Sequence, residues 1–175
     1  FVIKRSQKFP NEVLFCSNKR HAQWFDVYKV NIETRKFEKV FENNAYIDMI
    51  FNENFELKVL RKVLSNGDNE LLTADGKLIL RVPFEDTGFF GAYHLKKGEN
   101  ILYASISMGK DKASLVSLNI DTKEIKTLCS SDESDVYLSS CDPENFEPQL
   151  AEVNYLRKRD IPLSDKISEN LNILS

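Results

Sequence analysis

Cysteine is scarce in this chain. The three cysteines, Cys16, Cys129 and Cys141, form no C-x-x-C pair. An odd count without that spacing argues against a disulfide framework and against a zinc site. We therefore expect three reduced, partly buried thiols, which are typical of a cytoplasmic protein. We predict neither metal-binding nor cofactor-binding residues.

Glycine and histidine are also rare, with six and two copies respectively. No two glycines stand four positions apart around a serine, so the sequence has no Gly-x-Ser-x-Gly elbow of the kind that carries many serine nucleophiles. Gly88 and Gly91 lack the glycine density and the following helix of a phosphate-binding loop. His21 and His94 have no sequence neighbours typical of catalysis. We predict no catalytic residues in this chain.

The sequence has neither long hydrophobic runs nor large blocks of one charge sign. Its net charge of -3 gives no electrostatic reason to bind nucleic acid or an anionic membrane. No apolar run approaches the roughly 20 residues of a membrane span. The acidic run at residues 132–135 lacks the spacing and the glycine of a calcium loop. We predict neither nucleic acid nor a membrane as a partner. Because the chain does not begin with Met, we expect the native protein to start earlier.

Strand-like segments recur with a spacing of 44 residues. Apolar segments start at positions 13, 57 and 101, and each is followed by a polar residue that opens a turn: Asn31, Asp75 and Asn119. Repeats of about 40 to 50 residues built from several short strands are typical of β-propeller blades. We predict an all-β partial β-propeller with about three four-stranded antiparallel blades, at residues 1–44, 45–88 and 89–143.

The remaining segment, residues 144–175, has a different pattern. Residues 149–155 are typical of a strand, and Ser164 or Asp165 is predicted to cap a short C-terminal helix. Three apolar residues would share one face of that helix: Ile167, Leu171 and Leu174.

About three blades are fewer than a closed propeller contains, which is four to eight. We therefore predict an arc of a larger ring. The alternative is that residues 144–175 complete an unusual four-bladed ring. Exposed strand edges at the two ends of an arc favour pairing with another chain, so an edge-to-edge homodimer is a predicted partnership.

Short motifs along nearly the whole chain have a recognisable pattern. They are FPNEVL at residues 9–14, NKR at 18–20, DVYKVN at 26–31, GAY at 91–93, LYAS at 102–105 and ASLV at 113–116. This pattern resembles the propeller of the prolyl oligopeptidase family of serine peptidases, in particular its acylaminoacyl-peptidase and dipeptidyl-aminopeptidase type. That family usually has an acid after the arginine of the second motif. His21 stands there in this chain, so a role of that acid in loop bonding is not carried over.

The resemblance implies a non-catalytic propeller module of a serine peptidase. Such a module gates the access of peptide substrates to an α/β-hydrolase domain, in the same or a separate chain. Two alternatives stay open: a stand-alone protein-interaction propeller, and a split-gene remnant without enzymatic activity. Hydrolase sequence downstream of this chain would favour the first interpretation over the other two.

Overall fold

The computed structural model describes the backbone of residues 1–174 and the side chains of residues 1–169. This part of the chain forms three four-stranded sheets and one three-stranded sheet. The first sheet consists of β1 (Val2–Arg5), β2 (Glu12–Ser17), β3 (Asp26–Asn31) and β4 (Phe37–Phe41). The second consists of β5 (Asp48–Phe51), β6 (Leu57–Val63), β7 (Asn69–Thr73) and β8 (Leu78–Val82). The third consists of β9 (Gly91–Leu95), β10 (Ile101–Ile106), β11 (Ser114–Asn119) and β12 (Ile125–Cys129). The fourth consists of β13 (Val136–Cys141), β14 (Pro148–Tyr155) and β15 (Arg157–Pro162).

Consecutive strands pair antiparallel in every sheet, so each sheet is a simple meander. A 3-10 helix, Phe84–Phe89, connects the second sheet to the third, and α1 (Asp165–Leu174) follows the fourth. This architecture confirms the predicted all-β partial propeller with a short C-terminal helix. Within residues 1–174 no helix has the length and apolar character that a membrane crossing requires.

The α-helix begins where the sequence predicted. Ser164 Oγ accepts a hydrogen bond from the Ile167 N–H at 3.4 Å, which is the N-cap interaction. Leu171 and Leu174 are predicted to share a helix face with Ile167. Both lie outside the residues whose side chains are described.

The fourth sheet is larger than the single strand that the sequence predicted for this region. Residue pairs run from Tyr155 opposite Arg157 to Leu150 opposite Pro162 along β14 and β15. The strand β15 is mostly exposed, and its charged sequence carries no apolar alternation that would reveal a strand. Backbone pairing with β14 therefore forms this strand, and its own side-chain pattern does not.

The repeat in the structure departs from the strict 44-residue spacing. In each four-stranded sheet, the last residue of the third strand donates its backbone N–H to a carbonyl across the following turn. These residues are Asn31, Thr73 and Asn119. Asp75 therefore is not the counterpart of Asn31. Glu12 pairs with Asn31, and Ile101 pairs with Asn119, so the second strands of the first and third sheets correspond with an offset of 89. Turns and loops of unequal length cause these shifts.

Apolar cores between successive sheets hold the described residues together. One core joins the first and second sheets: Leu14, Cys16, Val27 and Phe51. The core between the second and third sheets includes Leu71, Val82, Leu102, Val116 and Leu118. The core between the third and fourth sheets contains Leu115, Val136, Ala151 and Val153. Because burial of one such side chain contributes about 1.5 to 3 kcal/mol, stacking of the sheets dominates the stability of this fold.

A chain of hydrogen bonds reinforces the contact between the third and fourth sheets. Ser105 Oγ donates to the Val136 carbonyl at 2.7 Å, and Tyr93 Oη lies 2.7 Å from Ser105 Oγ. The Leu138 N–H donates to Tyr93 Oη at 3.3 Å. Each buried hydroxyl thereby has a partner, which removes the desolvation penalty of leaving it unpaired.

Candidate functional site

Four turns, each joining the first and second strands of a sheet, meet at one end of the molecule. They span residues 6–11, 52–56, 96–100 and 142–147, and we call them the turn cluster. Residues from all four turns line one cleft of about 490 Å³: Ser6, Gln7, Lys8, Glu53, Asn54, Lys97 and Phe146. Because every sheet brings its first turn to the same cleft, the first strands of the sheets lie innermost, as in a propeller.

Hydrogen bonds connect the first, second and third turns of this cluster. Lys8 Nζ donates to Asn54 Oδ1 at 2.8 Å, and thereby links the first turn to the second. The backbone N–H of Gly98 donates to Glu53 Oε1 at 3.1 Å, and links the third turn to the second. The Glu53 carboxylate is therefore fixed in direction at the wall of the cleft.

The third and fourth turns are joined in a similar way. The Lys97 N–H donates to the Asn145 carbonyl at 3.0 Å, and His94 Nε2 lies 2.9 Å from the Phe146 carbonyl oxygen. Burial lowers the pKa of His94, and Lys4 lowers it further, whereas the bond to the Phe146 carbonyl opposes the shift. His94 is thus a neutral, structural residue near neutral pH, and its ring packs against Phe146.

Lys4 connects the first sheet to the fourth across the cleft. Its ammonium nitrogen lies 4.7 Å from the ring centroid of Phe146, which is within the range of a cation–π contact. Burial lowers the pKa of Lys4, and the carboxylate of Glu53 partly opposes this effect. A desolvated ammonium group therefore sits on an aromatic ring that lines the cleft.

Backbone geometry holds two phenylalanines of the turn cluster in place. Phe55 and Phe146 both have φ of 62°, a left-handed conformation that is unfavourable for a bulky residue. Asn52 and Asp142 offset this strain, since the Oδ1 atom of each accepts two backbone N–H groups of its turn. The Phe146 ring is consequently fixed beside the cleft, while the Phe55 ring packs on Phe9.

A polar cluster fixes the other end of the first sheet. Arg20 donates through Nε and Nη2 to the two carboxylate oxygens of Asp26, each at 2.8 Å, and through Nη2 to the Asn43 carbonyl at 2.6 Å. The Asn43 N–H donates to Asp26 Oδ1 at 2.9 Å. Asp26 is fully buried. The hydrogen bond from Arg20 is the main cause that lowers the pKa of Asp26 to about 2, with the Asn43 N–H contributing.

His21, which has no sequence neighbours typical of catalysis, and Asp86, in the 3-10 helix, lie outside the turn cluster. His21 is exposed, and its Nδ1 accepts the Gln23 N–H. Asp86 binds Ser107 Oγ and the Gly109 N–H, and so anchors the loop between β10 and β11.

In the acidic run at 132–135, the charged side chains hold neighbouring segments. Asp135 Oδ1 accepts the Ala113 N–H at 2.7 Å, and Glu133 pairs with Arg159. Each contact joins the run to a different part of the chain.

Another groove, of about 560 Å³, lies between the third sheet, the fourth sheet and the start of α1. Burial raises the pKa of its Tyr103 to about 12, so this phenol stays neutral. Lys96 bridges Glu147 at 2.7 Å and Glu99 at 2.8 Å nearby, and these bonds raise the pKa of Lys96. The walls of this groove come from two neighbouring sheets, whereas the turn cluster joins all four sheets. We therefore treat the cleft of the turn cluster as the candidate site.

Sequence analysis did not identify the residues of this cleft. Lys4, Glu53, Lys97 and Phe146 belong to no motif, and long stretches of chain separate them. One signal was available: Glu53, Lys97 and Phe146 each occupy the turn after the first strand of a sheet. Only knowledge that the first strands lie innermost converts that signal into a site.

Comparisons with known proteins agree with this architecture. The chain is 27% identical over 157 residues to dipeptidyl aminopeptidase BIII of Pseudoxanthomonas mexicana, covering 87% of this chain and 23% of that protein. It therefore spans about a quarter of the length of this relative. No family model matches the chain.

A solved structure shares the fold. The crystal structure of TolB from Acinetobacter baumannii superposes with a TM-score of 0.51 at 11% identity, over 82% of this chain and 34% of that one. The similarity supports the sheet arrangement alone. Together, the two comparisons confirm the resemblance predicted from the sequence: the chain is a β-propeller segment homologous to part of a peptidase of the prolyl oligopeptidase type.

Proposed function

We propose that this chain is the non-catalytic propeller module of a prolyl-oligopeptidase-like serine hydrolase, and that it gates substrate access to a hydrolase domain outside these 175 residues. The observation that carries the proposal is the convergence of all four sheets on one cleft of about 490 Å³. A cleft of this size suits a small ligand or a short peptide segment, and it is far too small for a folded protein.

The rigidity of the cleft supports a gating role. A gate that selects by size must keep its width when a large molecule presses on it. Interactions between neighbouring turns meet this need, because the polar contacts of Lys8, Glu53 and Lys97 join four separate sheets. The Phe146 ring narrows the cleft from a strained backbone position, with Lys4 above it.

The first test asks whether the native protein carries a hydrolase. An antibody raised to this chain is used to isolate the native protein from its source cells, which is then treated with a fluorophosphonate probe for active serines. We expect the label on a polypeptide well above the 20.2 kDa of this chain, or on a second polypeptide that co-purifies in equal amount. An unlabelled protein of this chain's own mass without such a companion contradicts the proposal.

The second test asks whether the module gates. In the full-length enzyme that the first test identifies, prepared without the probe, Phe146→Ala is compared with wild type on a chromogenic dipeptidyl substrate and on a peptide of about 30 residues. We expect cleavage of the long peptide to rise relative to the short one, because the ring no longer narrows the cleft. Leu156→Ala is the matched control, since Leu156 is 97% exposed in the β14–β15 turn. An unchanged ratio in Phe146→Ala contradicts gating at this cleft.

A further inference from the structure

The cleft of the turn cluster has an excess of positive charge. Lys8 and Lys97 line it, and Lys4 lies over its Phe146 wall, whereas Glu53 is its acidic residue. Within the described residues, none of these three lysines has a carboxylate within 4.0 Å. Elsewhere on the surface, lysines form such pairs: Lys29 with Glu38, Lys62 with Glu70, and Lys158 with Glu152.

Lys4 and Lys8 contact neutral partners directly, and the carboxylate of Glu53 compensates the charge of Lys4 only in part. Lys8 donates to the amide oxygen of Asn54, and Lys4 contacts the face of the Phe146 ring. An aromatic face offers an ammonium ion less stabilisation than a carboxylate does, and partial burial of the ammonium group is unfavourable without an ionic partner. An anionic group that enters the cleft gains charge-assisted hydrogen bonds and compensates these cations.

We propose that the cleft of the turn cluster binds the C-terminal carboxylate of a short peptide through Lys4 and Lys97. This inference rests on the proposed function, because it names what the gate recognises. The carboxylate lies toward the two lysines, and the preceding residues of the peptide extend along the Phe146 ring. A gate built this way selects for chain ends as well as for size.

Glu53 opposes the entry of an anion. Its carboxylate is held at the wall by the Gly98 N–H, so it cannot turn away from an incoming anion without losing that bond. A phosphate dianion meets about twice the repulsion from Glu53 that a carboxylate meets, and about twice the attraction to the lysines. The peptide carboxylate is therefore chosen on the proposed function, and inorganic phosphate serves as the competing probe.

The test measures binding to the purified chain by amide NMR in about 10 mM salt. The Debye length is then about 30 Å, so the charges of the cleft are only weakly screened. The probes are N-acetyl-trialanine, its C-terminal amide and inorganic phosphate. We expect N-acetyl-trialanine to bind with shifts at the Asn54 and Gly98 amides, and the amide probe to bind at least about tenfold more weakly. Phosphate that binds more tightly than N-acetyl-trialanine overturns the choice of a peptide carboxylate.

Three substitutions test the assignment of residues. Lys4→Met and Lys97→Met should each weaken the binding of N-acetyl-trialanine about tenfold, because each removes one charge-assisted hydrogen bond. Glu53→Gln should strengthen this binding, because it removes repulsion. Lys19→Met is the control, since Lys19 is exposed and distant from the cleft. Lys97 is exposed, so its variant stays informative if Lys4→Met fails to fold. No binding, or equal weakening by Lys19→Met and Lys97→Met, overturns the inference. Neither result changes the fluorophosphonate test, which addresses the proposed function separately.

Discussion

The first and third sheets are built on the same plan, yet their corresponding faces have different surroundings. In the third sheet, Leu102, Ala104, Val116 and Leu118 are at most 4% exposed, since the second sheet covers them. Strand pairing gives their counterparts in the first sheet: Val13, Phe15, Tyr28 and Val30. These four are only partly buried.

The uncovered face of the first sheet is also the more aromatic of the two. Phe15 stacks on Tyr28, and Tyr28 packs in a T-shaped arrangement with Phe37, which is 69% exposed. An apolar surface of this kind is usual where another element packs. The comparison teaches that the covering of a face depends on its position in the stack, because the residues of both faces are apolar. The uncovered aromatic face of the first sheet also supports the proposal that this chain packs against a further protein domain.

The largest effect is expected where the two sheets differ in chemistry at one position. Asp26 begins β3, and Ser114 occupies the corresponding position in β11. Asp26→Ser should destabilise the chain by about 3 kcal/mol, because Arg20 and the Asn43 N–H lose a buried partner. The midpoint of urea unfolding measures this effect. Ser114→Ala, as the matched change in the third sheet, should cost about 1 kcal/mol or less, and equal losses would refute the special role of Asp26.

The pH dependence sharpens the same contrast. The pKa of Asp26 is lowered from 3.8 to about 2 in the folded chain, so its ionised form is favoured by folding. Its contribution is complete above pH 3.8 and is lost as the pH falls toward 2, because the unfolded chain takes up the proton first. We expect a loss of about 2 kcal/mol over this range. Unfolding curves of Asp26→Ser recorded between pH 5 and pH 2 should lack this loss of unfolding free energy. The same loss in Asp26→Ser and in wild type would argue against Asp26 as its source.

Exchange of corresponding residues tests the difference in covering. Ala104→Phe should cost about 2 kcal/mol, because a larger side chain overpacks the closed interface between the second and third sheets. Phe15→Ala should cost about 1 kcal/mol, since Phe15 is only partly buried. Thermal or chemical unfolding of both variants gives the comparison. A larger loss for Phe15→Ala would mean that the first face is covered in solution.

The smallest effect on stability is expected at the edge of the first sheet. Phe37→Ser should change the unfolding free energy by less than about 0.5 kcal/mol, yet it should weaken the predicted homodimer by removing exposed apolar surface. Ile125 occupies the corresponding position and is 40% exposed, so Ile125→Ser is the control. Sedimentation over a range of concentrations checks both variants. Self-association that is the same in the two variants would exclude β4 as the contact.

Local sequence was sufficient for most of the strands. The strand Glu12–Ser17 and the hairpin around Asn119 follow from alternation and turn chemistry, and the Asn119 side chain accepts the N–H groups of Asp121 and Thr122 as such a turn requires. The register between repeats did not follow, because loops of different length can compensate each other in a spacing of 44 residues. The strand β15 was missed, since pairing with β14 forms it.

The sequence by itself determined that this protein is a stack of short antiparallel sheets, because alternation, turn residues and the near-regular repeat act over a few neighbouring residues. Only the tertiary structure decided that Glu53, Lys97 and Phe146 line one cleft, with Lys4 over the Phe146 ring. It also decided that the aromatic face of the first sheet is left uncovered within the described residues. Both features depend on how whole sheets stand relative to one another. That arrangement is set by the apolar cores between the sheets, whose contacts join residues far apart in the chain.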